Sequence, residues 1–173
     1  MKALRLITVA VFWVLLLTGC TGLPRGVTPV SGFDVNRYLG EWYEIARLDH
    51  SFERGLEKIT AQYALKPDGG LRVVNRGFDT ASGQWREAEG RAYFIGDPQT
   101  GRLKVSFFGP FYGSYNIIRL DQDYRYALVC GPNTSYLWIL ARDPAIDRAI
   151  VDNLVSYAAD HGFDTSQLIY VQH

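Results

Sequence analysis

The chain has 173 residues, with 18 Lys plus Arg balanced by 18 Asp plus Glu, three His and two Cys. Without a basic excess nothing favours nucleic acid as a partner, and the length suits one compact domain with a sizeable core rather than two. Two cysteines suffice for one disulfide in a secreted protein, so the surroundings of each must decide its role.

Lys2 and Arg5 precede an apolar run from Leu6 to Leu17, shorter than the roughly 20 apolar residues of a permanent spanning helix. A charged start, a short apolar middle and a small-residue exit have the layout of a cleaved secretory signal. Its last residues, Leu17-Thr18-Gly19-Cys20, resemble the lipobox at which bacterial lipoproteins receive diacylglycerol on the Cys sulfur and are cut before that Cys. The resemblance implies a signal peptide over residues 1–19 and a lipidated Cys20 as the first mature residue. The alternative is an ordinary secretory signal cut near Ala or Gly, with Cys20 an incidental thiol. Loss of the signal removes two basic residues and tips the net charge slightly negative. Thr21, in place of the Asp that retains lipoproteins at the inner membrane, implies an outer-membrane anchor facing the periplasm, with the body tethered and not embedded. Cys130 is then left unpaired and is expected as a buried thiol on an apolar strand.

Residues 20–32 are rich in Pro, Gly and hydroxyl side chains, with no period that would bury a face. They are expected to form a flexible tether, leaving residues 33–173 as the folded domain. From Gly40 onward, short segments of β-branched and aromatic residues alternate with turn clusters about every ten residues, the pattern of an antiparallel barrel or sandwich. Strands are expected near 41–48, 57–65, 71–78, 84–95, 102–108, 114–121, 124–130 and 136–142. After Asp143, Pro144 suits the first helical position, and Ile146, Ile150, Leu154, Tyr157 and Ala158 recur at helical spacing up to Gly162. This predicts one amphipathic helix, followed by a short strand from Leu168 to Val171 that pairs with the first. Bulky residues on both strand faces, as in Phe107-Phe108 and Tyr136 to Leu140, favour a barrel that lines a cavity with one face and covers the other.

The stretch Tyr38 to Arg47, built around Gly40-Glu41-Trp42, resembles the first lipocalin signature. Asp121-Gln122-Asp123-Tyr124 resembles the second, and Trp138-Ile139-Leu140-Ala141-Arg142-Asp143-Pro144 the third. Three ordered signatures span nearly the whole domain, and with the lipobox the chain is most similar to the bacterial outer-membrane lipocalins, relatives of apolipoprotein D. The resemblance implies an all-β fold: an eight-stranded antiparallel up-and-down barrel with one C-terminal amphipathic α-helix packed outside and a short final strand. It also implies mainly structural roles for Gly40, Trp42, Asp121, Asp123, Tyr124 and Arg142. In that family the tryptophan closes the barrel floor and the arginine lies across its indole.

With Arg142 pointing inward at the floor, the period of two places Leu140, Trp138 and Tyr136 on the inner face. Alignment with the family implies that Val105, Phe107, Ala127 and Val129 also face inward. The segment from Gly109 to Tyr115 reads as a loop near the mouth whose Tyr112 and Tyr115 hydroxyls would meet a ligand head group; plain rim packing fits them equally. Arg47, His50 and Arg54, in or near the first long loop, are candidates to attract a phosphate or carboxylate, although such loop charges are more often solvated. Ala61, Ala88, Ala92 and Ala127 would leave internal space.

No metal, cofactor or catalysis is expected. His50, His161 and His173 lack metal-ligand spacing, and Asp49-His50-Ser51 are too close in sequence to align as a hydrolase triad. The expectation is therefore a carrier of a fatty acid or lysophospholipid, for storage or transport in the cell envelope and under stress. The alternative is a structural or protein-interaction lipoprotein whose barrel is filled by its own aromatics, drawn from 4 Trp, 11 Tyr and 9 Phe. A homodimer is compatible with both.

Overall fold

The computed structural model describes residues 21–173; the expected signal peptide and Cys20 lie outside them. A short helix α1 (Val35–Tyr38) precedes eight strands: β1 (Gly40–Arg47), β2 (Leu56–Leu65), β3 (Leu71–Asp79), β4 (Gln84–Phe94), β5 (Arg102–Phe108), β6 (Phe111–Leu120), β7 (Tyr126–Cys130) and β8 (Leu137–Ala141). Each pairs antiparallel with its successor, and β1 pairs with both β8 and β2. The sheet thus closes on itself as an eight-stranded barrel, and the sandwich is excluded. Helix α2 (Arg148–Asp160) packs outside, and β9 (Ile169–Tyr170) lies on β1 as expected. Beyond it Val171 N donates to Ile45 O at 3.0 Å and Lys58 N to Gln172 O at 2.7 Å, so the chain end fills the gap where β1 and β2 diverge.

Two apolar clusters divide the molecule. Inside the barrel lie Trp42, Tyr63, Leu71, Val73, Ala92, Leu103, Ile117, Ala127, Val129 and Leu140. Between wall and helix lie Ile45, Ala46, Leu128, Cys130, Leu137 and Ile139, covered by Val151, Leu154 and Ala158 of α2. Full burial of each large aliphatic side chain contributes roughly 1.5–3 kcal/mol. On β1 a register shift between Glu44 and Ala46 resets the alternation: Glu44 pairs with inward Leu140, Ala46 with outward Ile139 and Arg47 with inward Trp138. The extra residue, Ile45, lets Trp42, Glu44 and Arg47 all face inward on one strand.

Four expectations give way. Helix α2 begins at Arg148, not at Pro144, because the Asp143 carboxylate accepts from Ala145 N (2.8 Å) in a tight turn and Asp147 is the N-cap, accepting from Ala149 N (2.8 Å). Gly162 does end it. With φ +84° it lets Phe163 N reach Ala158 O and Gly162 N reach Ala159 O, a Schellman arrangement. The loop expected from Gly109 to Tyr115 is instead a tight turn, since β6 begins at Phe111. Strand β7 starts at Tyr126 rather than near 124, because Asp121 holds the preceding turn by accepting from the N–H groups of Asp123 and Arg125, 3.2 Å each.

The fourth concerns residues 21–32, which form no free tether. Val27 is 5% exposed and joins the cluster under α2. Val30 N donates to Ile117 O at 2.9 Å, Gly101 N donates back to Val30 O at 2.9 Å, and Ser31 bridges Thr100. The segment lies on the barrel wall, covering the Asn116 and Cys130 side of it.

Candidate functional site: the barrel interior and its two ends

The floor is built from the signature residues. Gly40 has φ +93°, and a Cβ there would lie 3.4 Å from Arg142 Nη1, so glycine suits both the turn and the approach. Trp42 is fully buried and donates through Nε1 to Tyr38 O at 2.9 Å. The Arg142 guanidinium lies 4.0 Å from the Trp42 ring centre. It donates to four carbonyls: Glu41 (2.7 Å), Leu39 (2.9 Å), Arg37 (3.0 Å) and Tyr124 (3.3 Å). One cation thus ties the entry to β1, the turn before β7 and the exit from β8. Asp121 accepts from Arg125 at 2.8 and 3.1 Å, Asp123 contributes its backbone N–H to Asp121, and the Tyr124 hydroxyl accepts from Asp34 N at 2.8 Å.

Above the floor stand three tyrosines. The Tyr115 hydroxyl is shared between those of Tyr38 and Tyr63, each 2.8 Å away. Burial raises all three phenols above their ordinary range, so the cluster is neutral.

Towards the mouth the interior is charged. Arg47 Nη1 donates to Glu44 Oε1 at 3.2 Å and Nη2 to Glu53 O at 3.0 Å, with Nε 3.8 Å from Glu53 Oε2. Trp138 Nε1 donates to the same oxygen, Glu53 Oε2, at 3.1 Å. Burial, and then Glu53, raises Glu44 well above the usual carboxylate range; burial likewise raises Glu53. Two acids therefore share one guanidinium in a desolvated site, which favours holding a proton on the pair. His50 stacks between Tyr136 (5.0 Å, 10°) and Phe52 (5.3 Å, 9°) and tilts against Trp138 (4.7 Å). Burial, then the charge of Arg47, lowers it to about 4. Through Glu53 and His50 the loop after β1 is fastened to β8 at the mouth.

Set against the expected lining, Leu140, Ala127 and Val129 are buried in the inner cluster, and Val105, Phe107, Tyr115 and Trp138 pack on it while remaining partly accessible. Tyr136 lies at the mouth on His50. Tyr112 does not line the interior: it is three residues from inward Tyr115 and so falls on the outer face, where it accepts from Arg91 Nε at 2.9 Å. Of the loop candidates, Arg47 faces the interior and His50 is buried at the mouth, whereas Arg54 is exposed and paired with Asp49. Ala61 and Ala92 join Ala127 in the interior; Ala88 is exposed on the part of β4 that β5 does not reach.

Sequence reasoning missed Tyr38, Glu44, Glu53 and Tyr63. Tyr63 was recoverable, since it follows inward Ala61 by two. Among the described residues no group of three or more His, Cys, Asp or Glu side chains is placed to hold a metal, and no helix is long and apolar enough to cross a membrane.

A lipocalin-like domain model matches residues 33–173. The chain is 55% identical over 173 residues to the outer membrane lipoprotein Blc of Vibrio cholerae, covering 99% of each. It is 58% identical over 149 residues to Blc of Escherichia coli K12, covering 86% of this chain and 84% of that one. Apolipoprotein D of Bos taurus is 34% identical over 144 residues, covering 79% and 75%. Among solved structures, insecticyanin of the tobacco hornworm Manduca sexta superposes with a TM-score of 0.71 at 22% identity, covering 88% of this chain and 87% of that one, a likeness of fold. With the closed barrel, the tryptophan floor and its capping arginine, these likenesses show that the chain belongs to the lipocalin family, in its branch of outer membrane lipoproteins.

Proposed function

We propose that this lipocalin is held at the outer membrane by lipid on Cys20, faces the periplasm, and binds a fatty acid or lysophospholipid in its barrel. The carrying observation is that Val105, Phe107, Tyr115 and Trp138 face the inner cluster yet keep part of their surface accessible. Inward side chains with accessible surface border space, and an acyl chain laid there would be shielded from water at about 25 cal/mol per Å² buried. Arg47 supports a head-group position near the mouth: its guanidinium faces the interior and its Nε has no hydrogen-bond acceptor. Release and capture make no bond, so the protein acts as a binding protein that stores or carries single-chain lipids in the envelope, including under stress.

Native mass spectrometry of the mature protein, with titration of fatty acid and lysophospholipid into wild type and Trp138→Ala, tests this reading. Single-chain lipid bound in one-to-one ratio and weakened by the substitution is the expected result. A barrel that takes up neither class overturns it and turns attention to the filled-barrel alternative and to protein partners, a second copy included.

A further inference from the structure

The first described residues are rooted on a single hairpin. Thr21 O accepts from Arg102 Nη2 and Gly22 O from Asn116 Nδ2, each at 3.3 Å, and Arg102 and Asn116 face one another across β5 and β6. At the other end of that hairpin Phe108 pairs with Phe111. These are the most exposed large apolar side chains described, at 77% and 78%. Phe52, on the loop over the mouth, is exposed at the same end of the barrel. The five residue steps from Asn116 to Phe111 span about 17 Å, so Thr21, the first described residue, is rooted within that distance of the phenylalanine tip along one hairpin.

The face between those points has the chemistry of a lipid interface. Residues 102–116 carry Arg102 and Lys104 and no Asp or Glu. Lys104 Nζ lies 5.0 Å and the Arg91 guanidinium 5.8 Å from the centre of the Tyr112 ring. Beside them a cleft of about 290 Å³ is bordered by Lys66, Arg72 and Arg91, by Glu89, which pairs with Arg72, and by Phe107 of the inner wall. Cations beside tyrosine suit the phosphate level of an anionic leaflet, and a pair of bare phenylalanines suits the acyl boundary beneath it.

We propose that the tip and outer face of the β5–β6 hairpin form the surface with which this protein docks on an anionic phospholipid leaflet. Phe108 and Phe111 enter the acyl boundary, and Tyr112, Lys104 and Arg91 lie among the phosphates. The proposal rests on the lipidated Cys20 of the preceding reading and extends it: the anchor and the hairpin together hold the barrel mouth at the membrane, where a single-chain lipid passes between leaflet and cavity with little exposure to water.

The test uses the lipidated protein in vesicles of phosphatidylethanolamine and phosphatidylglycerol, with an environment-sensitive fluorophore on Gly109→Cys or, for comparison, on Gln99→Cys in the exposed β4–β5 turn. A Cβ at Gly109 would meet nothing nearer than Arg91 Nη2 at 3.6 Å, so that substitution fits. The expected result is a blue shift and loss of emission with nitroxide-labelled lipid for the first probe and neither for the second. A probe at position 109 that stays unshifted and unquenched while the protein remains on the vesicles overturns the proposal. As a second arm, binding of the Cys20→Ser chain to the same vesicles should fall with added salt and with the paired change Phe108→Ser and Phe111→Ser; indifference to both also overturns it. If Cys20→Ser is retained in the outer membrane of cells as fully as wild type, the anchoring reading fails instead, and the fluorophore result still decides the docking face.

Discussion

The indole N–H of Trp138 donates to the Glu53 carboxylate at 3.1 Å, pinning the loop after β1 to β8, the strand beside β1. Glu53 is buried, so loss of this donor leaves a desolvated acceptor short of a partner. Trp138→Phe keeps an aromatic wall and removes the donor; it should cost roughly 1.5–3 kcal/mol, the range for hydrogen bonds to charged groups. Amide hydrogen exchange over residues 48–55 should quicken, with β7 unchanged. Unaltered exchange in that loop would show that the bond does not hold the mouth closed.

Arg142 is the cation of the floor, with one aromatic face and four carbonyl acceptors. Arg142→Lys retains charge but cannot fan out to four acceptors, so it should destabilise nearly as much as Arg142→Ala, roughly 2–4 kcal/mol by denaturant unfolding. Recovery of most of the wild-type stability by lysine would reduce the residue to a point charge.

The tyrosine cluster predicts an unequal response. Tyr115→Phe removes the hydroxyl that both Tyr38 and Tyr63 use, orphaning two buried phenols, whereas Tyr63→Phe leaves the pair of Tyr115 and Tyr38 intact. Expected losses are about 2–3 kcal/mol and about 1 kcal/mol respectively. Equal melting temperatures for the two variants would contradict the shared-hydroxyl geometry.

The mouth couples stability to pH in two opposite senses. His50 has its value lowered from 6.5 to about 4, so the unfolded chain binds a proton that the folded one refuses. Its contribution is present above pH 6.5 and lost as pH falls towards 4. Glu44 is the reverse: its raised value means that the folded state keeps a proton that the unfolded state releases, so stability falls as pH rises through the Glu44 value. His50→Phe should flatten the acid limb of melting temperature against pH. Glu44→Gln should gain on wild type as pH rises beyond the ordinary carboxylate range, and parallel curves for wild type and Glu44→Gln would argue against a raised Glu44.

Strand alternation made one wall of the interior legible, because β8 is regular: Leu140 and Trp138 face inward as counted from Arg142. The same counting failed on β1, where the extra residue at Ile45 brings Arg47 inside, and no feature of Glu44-Ile45-Ala46-Arg47 announces a bulge. Tyr112 was misplaced because a run of Gly, Pro and aromatics reads as loop while the chain turns within it and resumes pairing at Phe111. Residues 21–32 lacked a visible period because their attachment runs largely through backbone groups, as at Val30, which carry no side-chain signature. Gly40, Trp42 and Arg142, far apart in sequence, meet in one small volume, an arrangement that only the resemblance to the signatures, and no local pattern, made legible.

Cys130, wholly buried among Val27, Leu137 and the α2 side chains, has its thiol pushed up to about 12 by the loss of water around it. No reagent reaches that sulfur while the N-terminal segment, β7 and the helix stay together, and thiolate chemistry is suppressed even then. Cys130 is the free thiol among the described residues, so its rate of trapping by an alkylating agent serves as a stopwatch for opening of the fold. Reagent in excess reads the opening rate itself, and dilute reagent reads the fraction of molecules open, with no label added to the protein.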